Sequence, residues 1–290
     1  MSSPTVGWMT QHRVRGKRLI LGYHGIIPDG QAPAGERALF VSQRDFAMHL
    51  DLLVAEADVA PLDRIDEPGD GRPRVAITFD DAYSGAVNEG VKELAKRNLP
   101  ATIFVAPGRL NGHVFWWDAL SRGDDALDAS VRHHALHELA GADERVRAWA
   151  AGTALPVTGT QPRYARAATR AELAAALAFP GITVGSHTWS HRNLAALDAG
   201  EVDAEVSNSR EWLRAEFGDK AVDWLAYPYG LDSNEVHSRV AKASYVGAVR
   251  IDGGWHSPAD VSPFARPRLS VGSRLSVAGL RARLNGARLS

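Results

Sequence analysis

Short apolar runs alternate along this chain with segments of helical periodicity. Runs at residues 19–23, 74–79, 101–105, 182–186, 222–227 and 245–249 predict strands, and a weaker one is expected at 268–271. They carry little polar alternation, which predicts strands buried on both faces, as in a parallel sheet or barrel. Between them, Ser42 followed by Asp45 predicts a helix start, with Phe46, Leu50, Leu53 and Val54 as its apolar face. Val87, Val91, Leu94 and Ala95 form a second face. Thr169 and Glu172 make a capping box, and Val202, Val206, Leu213 and Phe217 a further face with Gly218 as its stop. Asp232 and Glu235 predict the start of one more helix. Strands and helices at this spacing imply βα units and one barrel-like or doubly wound domain. The rhythm breaks over about 117–168, which reads as an insertion, helical at first and loop-like around 156–162. Residues 1–18 read as a polar, basic tail (Arg13, Arg15, Lys17, Arg18) and 19–290 as the domain.

Composition narrows the chemistry. A formal net charge of -1, with both signs balanced, gives no reason to expect nucleic acid as a partner. The chain has no cysteine, so disulfides, thiolate chemistry and cysteine–zinc sites are excluded. Any transition metal must be held by His, Asp or Glu. No apolar h-region of a signal peptide follows the basic tail, and no run is long enough to span a membrane. The expectation is therefore a protein without a signal peptide or transmembrane segment, in the cytoplasm.

The informative feature is where polar residues follow the apolar runs. The run at 19–23 ends in His24. The run at 74–79 ends in Asp80-Asp81. The run at 182–186 ends in His187, with His191 four residues on, and 222–227 ends in Pro228-Tyr229-Gly230. In a parallel barrel all strand C-termini share one face, and the active site lies there. Asp81, His187 and His191 would give a divalent ion three N and O ligands and leave a position open. Zinc suits that set, and cobalt, nickel and manganese are compatible. Asp80 would then be free to act as general base. A leaving amine needs a general acid, and His24 is the remaining histidine that follows a convincing strand. Taken singly the motifs are weak. Asp124-Asp125 is a second acid pair, and His133 and His137 repeat the histidine spacing on what should be one exposed helix face. Joint placement after separate strands is what carries the reading.

Three segments, Thr78-Phe79-Asp80-Asp81, Ser186-His187-Thr188-Trp189-Ser190-His191 and Ala226-Tyr227-Pro228-Tyr229-Gly230, resemble the motifs of the polysaccharide deacetylase family, carbohydrate esterase family four, also called the NodB-homology domain. They occur in the expected order, with similarity running over about 19–271. The resemblance implies an α/β fold, a distorted (β/α) barrel usually with fewer than eight strands. It implies Asp80 as catalytic base, Asp81, His187 and His191 as metal ligands, and the backbone N–H of Tyr229 as an oxyanion donor. The chain departs from the pattern in two places. Many members have Arg where Ala226 stands, and many carry a catalytic His near the end of the domain, where none is found around 269–271. The opening Leu21-Gly22-Tyr23-His24-Gly25 resembles the poly-N-acetylglucosamine deacetylase branch, whose permuted order supplies that histidine from the first strand, in keeping with His24 as the acid. Arg268, or else Arg266, is the expected substitute for the missing Arg beside Asp80.

Phe115-Trp116-Trp117-Asp118 has two readings: Trp117 as an aromatic platform for a sugar ring, or the whole set as an anchor of the insertion. His256, in a glycine-rich loop expected to be solvated, is the rival acid. The expected activity is metal-dependent removal of an N-acetyl group from an amino sugar or its glycoconjugate. The alternatives are a deformylase or cyclic-amide hydrolase on the same scaffold, and a non-catalytic carbohydrate-binding protein. The latter would have no use for a spare carboxylate beside a metal.

Overall fold

Seven parallel strands curl round a common interior, with helices packed outside. In chain order the strands are β1 (Arg18–Tyr23), β2 (Gly25–Ile27), β3 (Phe40–Ser42), β4 (Asp58–Val59), β5 (Arg74–Phe79), β6 (Ala101–Val105), β7 (Ile182–Ser186), β8 (Ala221–Ala226), β9 (Gly247–Val249) and β10 (Leu269–Ser270). The sheet runs β10-β1-β5-β6-β7-β8-β9, and the two-residue β4 pairs off this path beside the start of β5. The short β2 and β3 pair with each other. This computed structural model describes residues 14, 16–121, 127–153, 155, 157 and 160–287. Arg13, Arg15, Asp124, Asp125 and Pro156 lie outside the described residues.

Burial on both faces explains the apolar runs. Along β1, Leu19, Leu21 and Tyr23 belong to the large cluster under the helices, while Ile20 belongs to a second cluster with Ala76, Phe104, Trp224, Ala226 and Val249. Alternate residues of a strand face opposite ways, so the second cluster is the barrel interior. Leu62 and Ile65 close it at one end. Between β9 and β10 the ring is bridged by main-chain bonds, Arg250 N–H to the Arg266 carbonyl (2.8 Å) and Arg266 N–H to the Ala248 carbonyl (3.0 Å).

The helix Gln43–Glu56 starts at the Ser42 cap, and Arg170–Leu177 at the Thr169–Glu172 capping box. The helix Ala199–Phe217 ends at Gly218, whose φ is 52°. Two local readings are corrected. The helix after β8 is Asn234–Lys242, capped by Ser233. Asp232 accepts instead from His237 Nε2 at 2.6 Å and so does not cap. The last full strand begins at Gly247, because Val246 is exposed and its N–H turns to the Asp223 carbonyl. Between β6 and β7 lie the helices Trp116–Leu120, Ala129–His133 and Asp143–Ala151, in the stretch read as an insertion. His133 and His137 are both exposed there, on neighbouring turns.

Gly85 shows how closely the segment after β5 sits against the β2 strand. A Cβ on Gly85 would lie 2.0 Å from the Ile26 carbonyl oxygen, a main-chain atom that no rotamer change can move. Gly85→Ala is expected to destabilise the protein by about 1–3 kcal/mol, as overpacking of a filled site does. An unchanged denaturant midpoint would show that the two segments separate easily.

Candidate active site

Adjacent residues of a strand point to opposite faces, so two consecutive carboxylates cannot both reach one cavity from an extended backbone. Residues 76, 78 and 80 continue the inward face of β5. Asp81 then adopts φ 65° and Ala82 φ 49°, leaving the extended region at once. Both Asp80 and Asp81 consequently line one cavity of about 180 Å³ with His24, His187, His191 and Tyr229. Thr188 (φ 62°), His191 (φ 58°) and Tyr229 (φ 61°) also occupy the left-handed region. Such conformations are costly for residues with a Cβ and persist where the surroundings enforce them. The His187–His191 spacing is thus a loop, not a helix turn. It is fastened by Ser186 Oγ accepting from Thr188 N–H (3.2 Å), Thr188 Oγ1 accepting from His191 N–H (3.1 Å) and Glu205 accepting from Ser190 N–H (2.8 Å).

Three potential ligand atoms converge. His191 Nε2 lies 3.1 Å from Asp81 Oδ1 and 3.1 Å from His187 Nε2, which is 3.6 Å from the same carboxylate oxygen. His187 Nδ1 is 2.8 Å from the Ala226 carbonyl, so it carries the proton and leaves the Nε2 lone pair facing inward. Asp81 Oδ1 is buried with no hydrogen-bond partner among the described residues. Burial lowers both imidazoles, His187 to about 4 and His191 to about 3, and so keeps them neutral. It raises Asp81 to about 6 against the pull of His187 and His24. A buried carboxylate with no donor, facing two neutral imidazoles, fits a cation, and these three residues could hold a metal ion. The His191 ring sits among Phe115, Trp117 and Tyr229, with ring centroids 5.7, 4.9 and 4.7 Å away.

Asp80 stands beside this group with different partners. Arg268 Nη1 donates to its Oδ1 (2.7 Å) and Nη2 to its Oδ2 (2.6 Å), while Nη1 also reaches Thr78 Oγ1 at 3.1 Å. Arg268 is fully buried, lies over the Phe104 ring and is fixed by its Nε donating to the Arg250 carbonyl (2.7 Å). Burial pushes the Asp80 carboxyl up, but the Arg268 guanidinium and neighbouring imidazoles outweigh it and hold the group well below the usual carboxylate range. His24 Nε2 is 3.8 Å from Asp80 Oδ2, and burial lowers its pKa more than the two carboxylates raise it.

The other sequence candidates separate clearly. Arg266 is forked onto Asp66 (2.8 and 2.6 Å) over the Trp224 ring and does not approach Asp80. His256 is not solvated but buried, its backbone paired with Arg18 at the start of β1, away from the strand ends that carry the site. Trp117 lines the cavity and is also structural. Its indole N–H donates to Tyr83 OH (2.9 Å), its ring stacks on Phe115 at 4.6 Å, and Tyr83 donates to Asp118 Oδ2 at 2.6 Å. Trp116 donates to the Tyr229 hydroxyl at 3.0 Å. Leu39, Arg132, Leu136 and Ile251 complete the cavity wall. Sequence reasoning missed them, along with Glu205 and Tyr83, because none ends an apolar run. A tyrosine directly beside a recognised motif was the signal available for Tyr83, and Asp118, singled out with its aromatic neighbours, is the acceptor of its hydroxyl.

A polysaccharide deacetylase family model matches residues 68–248. No curated protein matches the chain in sequence. Among solved structures, the chain is similar to the Streptococcus pyogenes deacetylase PplD in complex with acetate, with TM-score 0.63, 18% identity, and coverage of 92% of this chain and 98% of that one. It is also similar to IcaB from Ammonifex degensii (TM-score 0.61, 17% identity, 93% and 97% covered). A third is the de-N-acetylase from Aggregatibacter actinomycetemcomitans (TM-score 0.62, 13% identity, 91% and 98% covered). At these identities the likeness is one of fold, a curled parallel sheet ringed by helices.

The buried Arg268–Asp80 fork makes a prediction about stability and pH. Arg268→Met leaves Asp80 buried without its counter-charge, and breaking such a pair costs about 3–5 kcal/mol. In the natural protein the lowered Asp80 pKa contributes stability that is complete above the ordinary carboxylate range and lost only in stronger acid. In Arg268→Met burial dominates, so Asp80 takes up a proton at higher pH and the penalty is relieved. The stability difference between the metal-free proteins should therefore narrow as pH falls from about 8 toward about 4. A difference independent of pH would mean that Arg268 serves some other group.

Proposed function

The chain belongs to the polysaccharide deacetylase family, and on that premise we propose that its cavity hydrolyses the N-acetyl group of an amino sugar with Asp80 as general base, His24 as general acid and Asp81, His187 and His191 as ligands of one divalent ion. The observation that carries this reading is the convergence of three metal-ligand atoms within 4.8 Å of one another beside a carboxylate that has its own separate partner. Two imidazoles and one carboxylate suit zinc, and cobalt, nickel or manganese are also compatible. A bound ion supplies a Lewis acid that polarises the scissile carbonyl and makes water more acidic.

The chain's own groups divide the remaining work. Arg268 keeps Asp80 ionised and fixes its plane, leaving each carboxylate oxygen with further lone-pair capacity toward the attacking water. Asp80 accepts the proton of that water as it adds to the acetyl carbon. The Tyr229 N–H, on a residue held at φ 61° in the cavity wall, is the proposed donor to the developing oxyanion. His24 gives a proton to the departing nitrogen, the C–N bond breaks, and acetate and a free amine are left. Trp117 offers an aromatic surface against which the apolar face of a pyranose can rest. The primary test is acetate release from a panel of N-acetylated sugars with zinc, cobalt, nickel or manganese supplied.

Two substitutions separate the roles. Asp80→Asn should keep the metal, measured by elemental analysis, while turnover falls by about 10²–10⁴-fold, the usual contribution of a general base. His187→Ala should lose metal and turnover together. Metal loss in Asp80→Asn with retention in Asp81→Asn would reverse the two assignments.

His24 can be tested through the leaving group. An amine must be protonated to depart, whereas a nitrophenolate leaves unaided. His24→Ala should cut amide hydrolysis by about 10²-fold or more and aryl acetate hydrolysis by less than about tenfold. Equal losses on both substrates would remove His24 from the role of acid.

A further inference from the structure

One cation in the cavity wall has no part in the chemistry described above. Arg132 lies on the helix Ala129–His133 and lines the cavity together with Leu136, one turn further on. Beyond the Asp and His groups and the aromatic pair Trp117 and Tyr229, the remaining lining is Leu39, Leu136 and Ile251, which are apolar, and Arg132. Arg132 is thus the one permanently charged cation in that lining among the described residues.

Its placement is specified from below. Arg132 Nη2 lies 3.2 Å from Oε2 of Glu36, a residue only 2% exposed. A buried carboxylate is costly unless paired, and Arg132 is the cation paired with Glu36 among the described residues. The Glu36 backbone N–H donates to Asp118 Oδ1 at 2.8 Å, and the other oxygen of Asp118 takes the Tyr83 hydroxyl that holds Trp117. The arginine is therefore tied into the same wall as the aromatic surface. A guanidinium has five N–H donors in a planar fork, and one buried acceptor leaves donors for a second oxyanion.

We infer that Arg132 binds an anionic group, phosphate or carboxylate, carried by the N-acylated sugar, so that the substrate is a charged amino-sugar derivative and not an interior unit of a neutral polymer. This rests on the deacetylase reading of the cavity. A forked guanidinium matches the paired oxygens of either anion. The volume of about 180 Å³ is on the scale of one sugar unit.

Calorimetric titration of the metal-loaded protein tests the inference without requiring turnover. The probes are N-acetylglucosamine, its 1-phosphate, the corresponding N-acetylated uronic acid and the neutral β-1,4 tetramer. The natural protein should bind one of the two anionic sugars about tenfold or more tighter than the neutral monosaccharide, and which one identifies the anion. The double variant Arg132→Gln with Glu36→Gln, which removes the buried charge together with its partner, should lose most of that advantage, and Arg132→Lys, which keeps the pairing with Glu36, should retain part of it. The inference is overturned if neither anionic sugar is preferred, or if the double variant keeps the full preference for the anionic sugar. Acetate measured in the same samples keeps the two readings apart. No acetate from any probe would count against deacetylation while the binding data still decide the role of Arg132. Acetate released preferentially from the tetramer would overturn the anion site and leave deacetylation standing.

Discussion

The site depends on one buried ion pair. Asp80 and Arg268 exchange two hydrogen bonds inside the barrel, with the arginine wholly enclosed. Neither charge could stay there alone, since an unpaired buried ion costs several kcal/mol. The pair sets the ionisation of Asp80, fixes its plane beside Asp81, His187 and His191 and ties the segment leading into β10 to the end of β5 across β1. Because Asp80 is satisfied by Arg268, the convergence of Asp81 with two imidazoles is left for a different partner. Two adjacent aspartates thus acquire opposite characters, one held charged by an arginine and the other pushed toward its neutral form by burial.

The two histidines beside Asp81 are oriented by different physics. His187 is fixed by a hydrogen bond from its ring to a main-chain carbonyl of the neighbouring strand, a contact that defines its tautomer. His191 has no such contact, since its Nδ1 is buried without a partner among the described residues, and three aromatic rings confine it instead. Trp117 is consequently both an anchor and a wall of the cavity. The two readings that the sequence left open describe the same side chain from its two sides.

Much of the fold and the centre of the site could be read from the chain because their signals are local. A strand buried on both faces must be apolar, and polar residues at its end mark the functional face. Capping at Ser42 and Thr169 is set by residues three apart. Asp232 misled because its side chain met His237, a pairing that outbids a cap and that local spacing does not reveal. Arg266 and Arg268 looked equivalent in sequence. Two positions apart they share a face, and they differ in what each meets: Arg266 lies over Trp224 and reaches Asp66, whereas Arg268 lies over Phe104 and reaches Asp80. Glu36 and Arg132 were illegible for a related reason. Their contacts join residues far apart in sequence, Glu36 with Leu127 at 91 positions and with Arg132 further still, so no periodicity records them.

The order in which these residues leave the ribosome matters. Asp80 and its arginine are separated by 188 positions, and at about 5–20 residues per second that interval is roughly ten to forty seconds of synthesis. For that time the nascent chain carries the first half of the sheet, with Asp80, but lacks the group that makes burial of that carboxylate tolerable. The early strands therefore have a reason not to seal around Asp80 prematurely. A chain halted before residue 268 would hold Asp81, His187 and His191 and still leave Asp80 without its counter-charge.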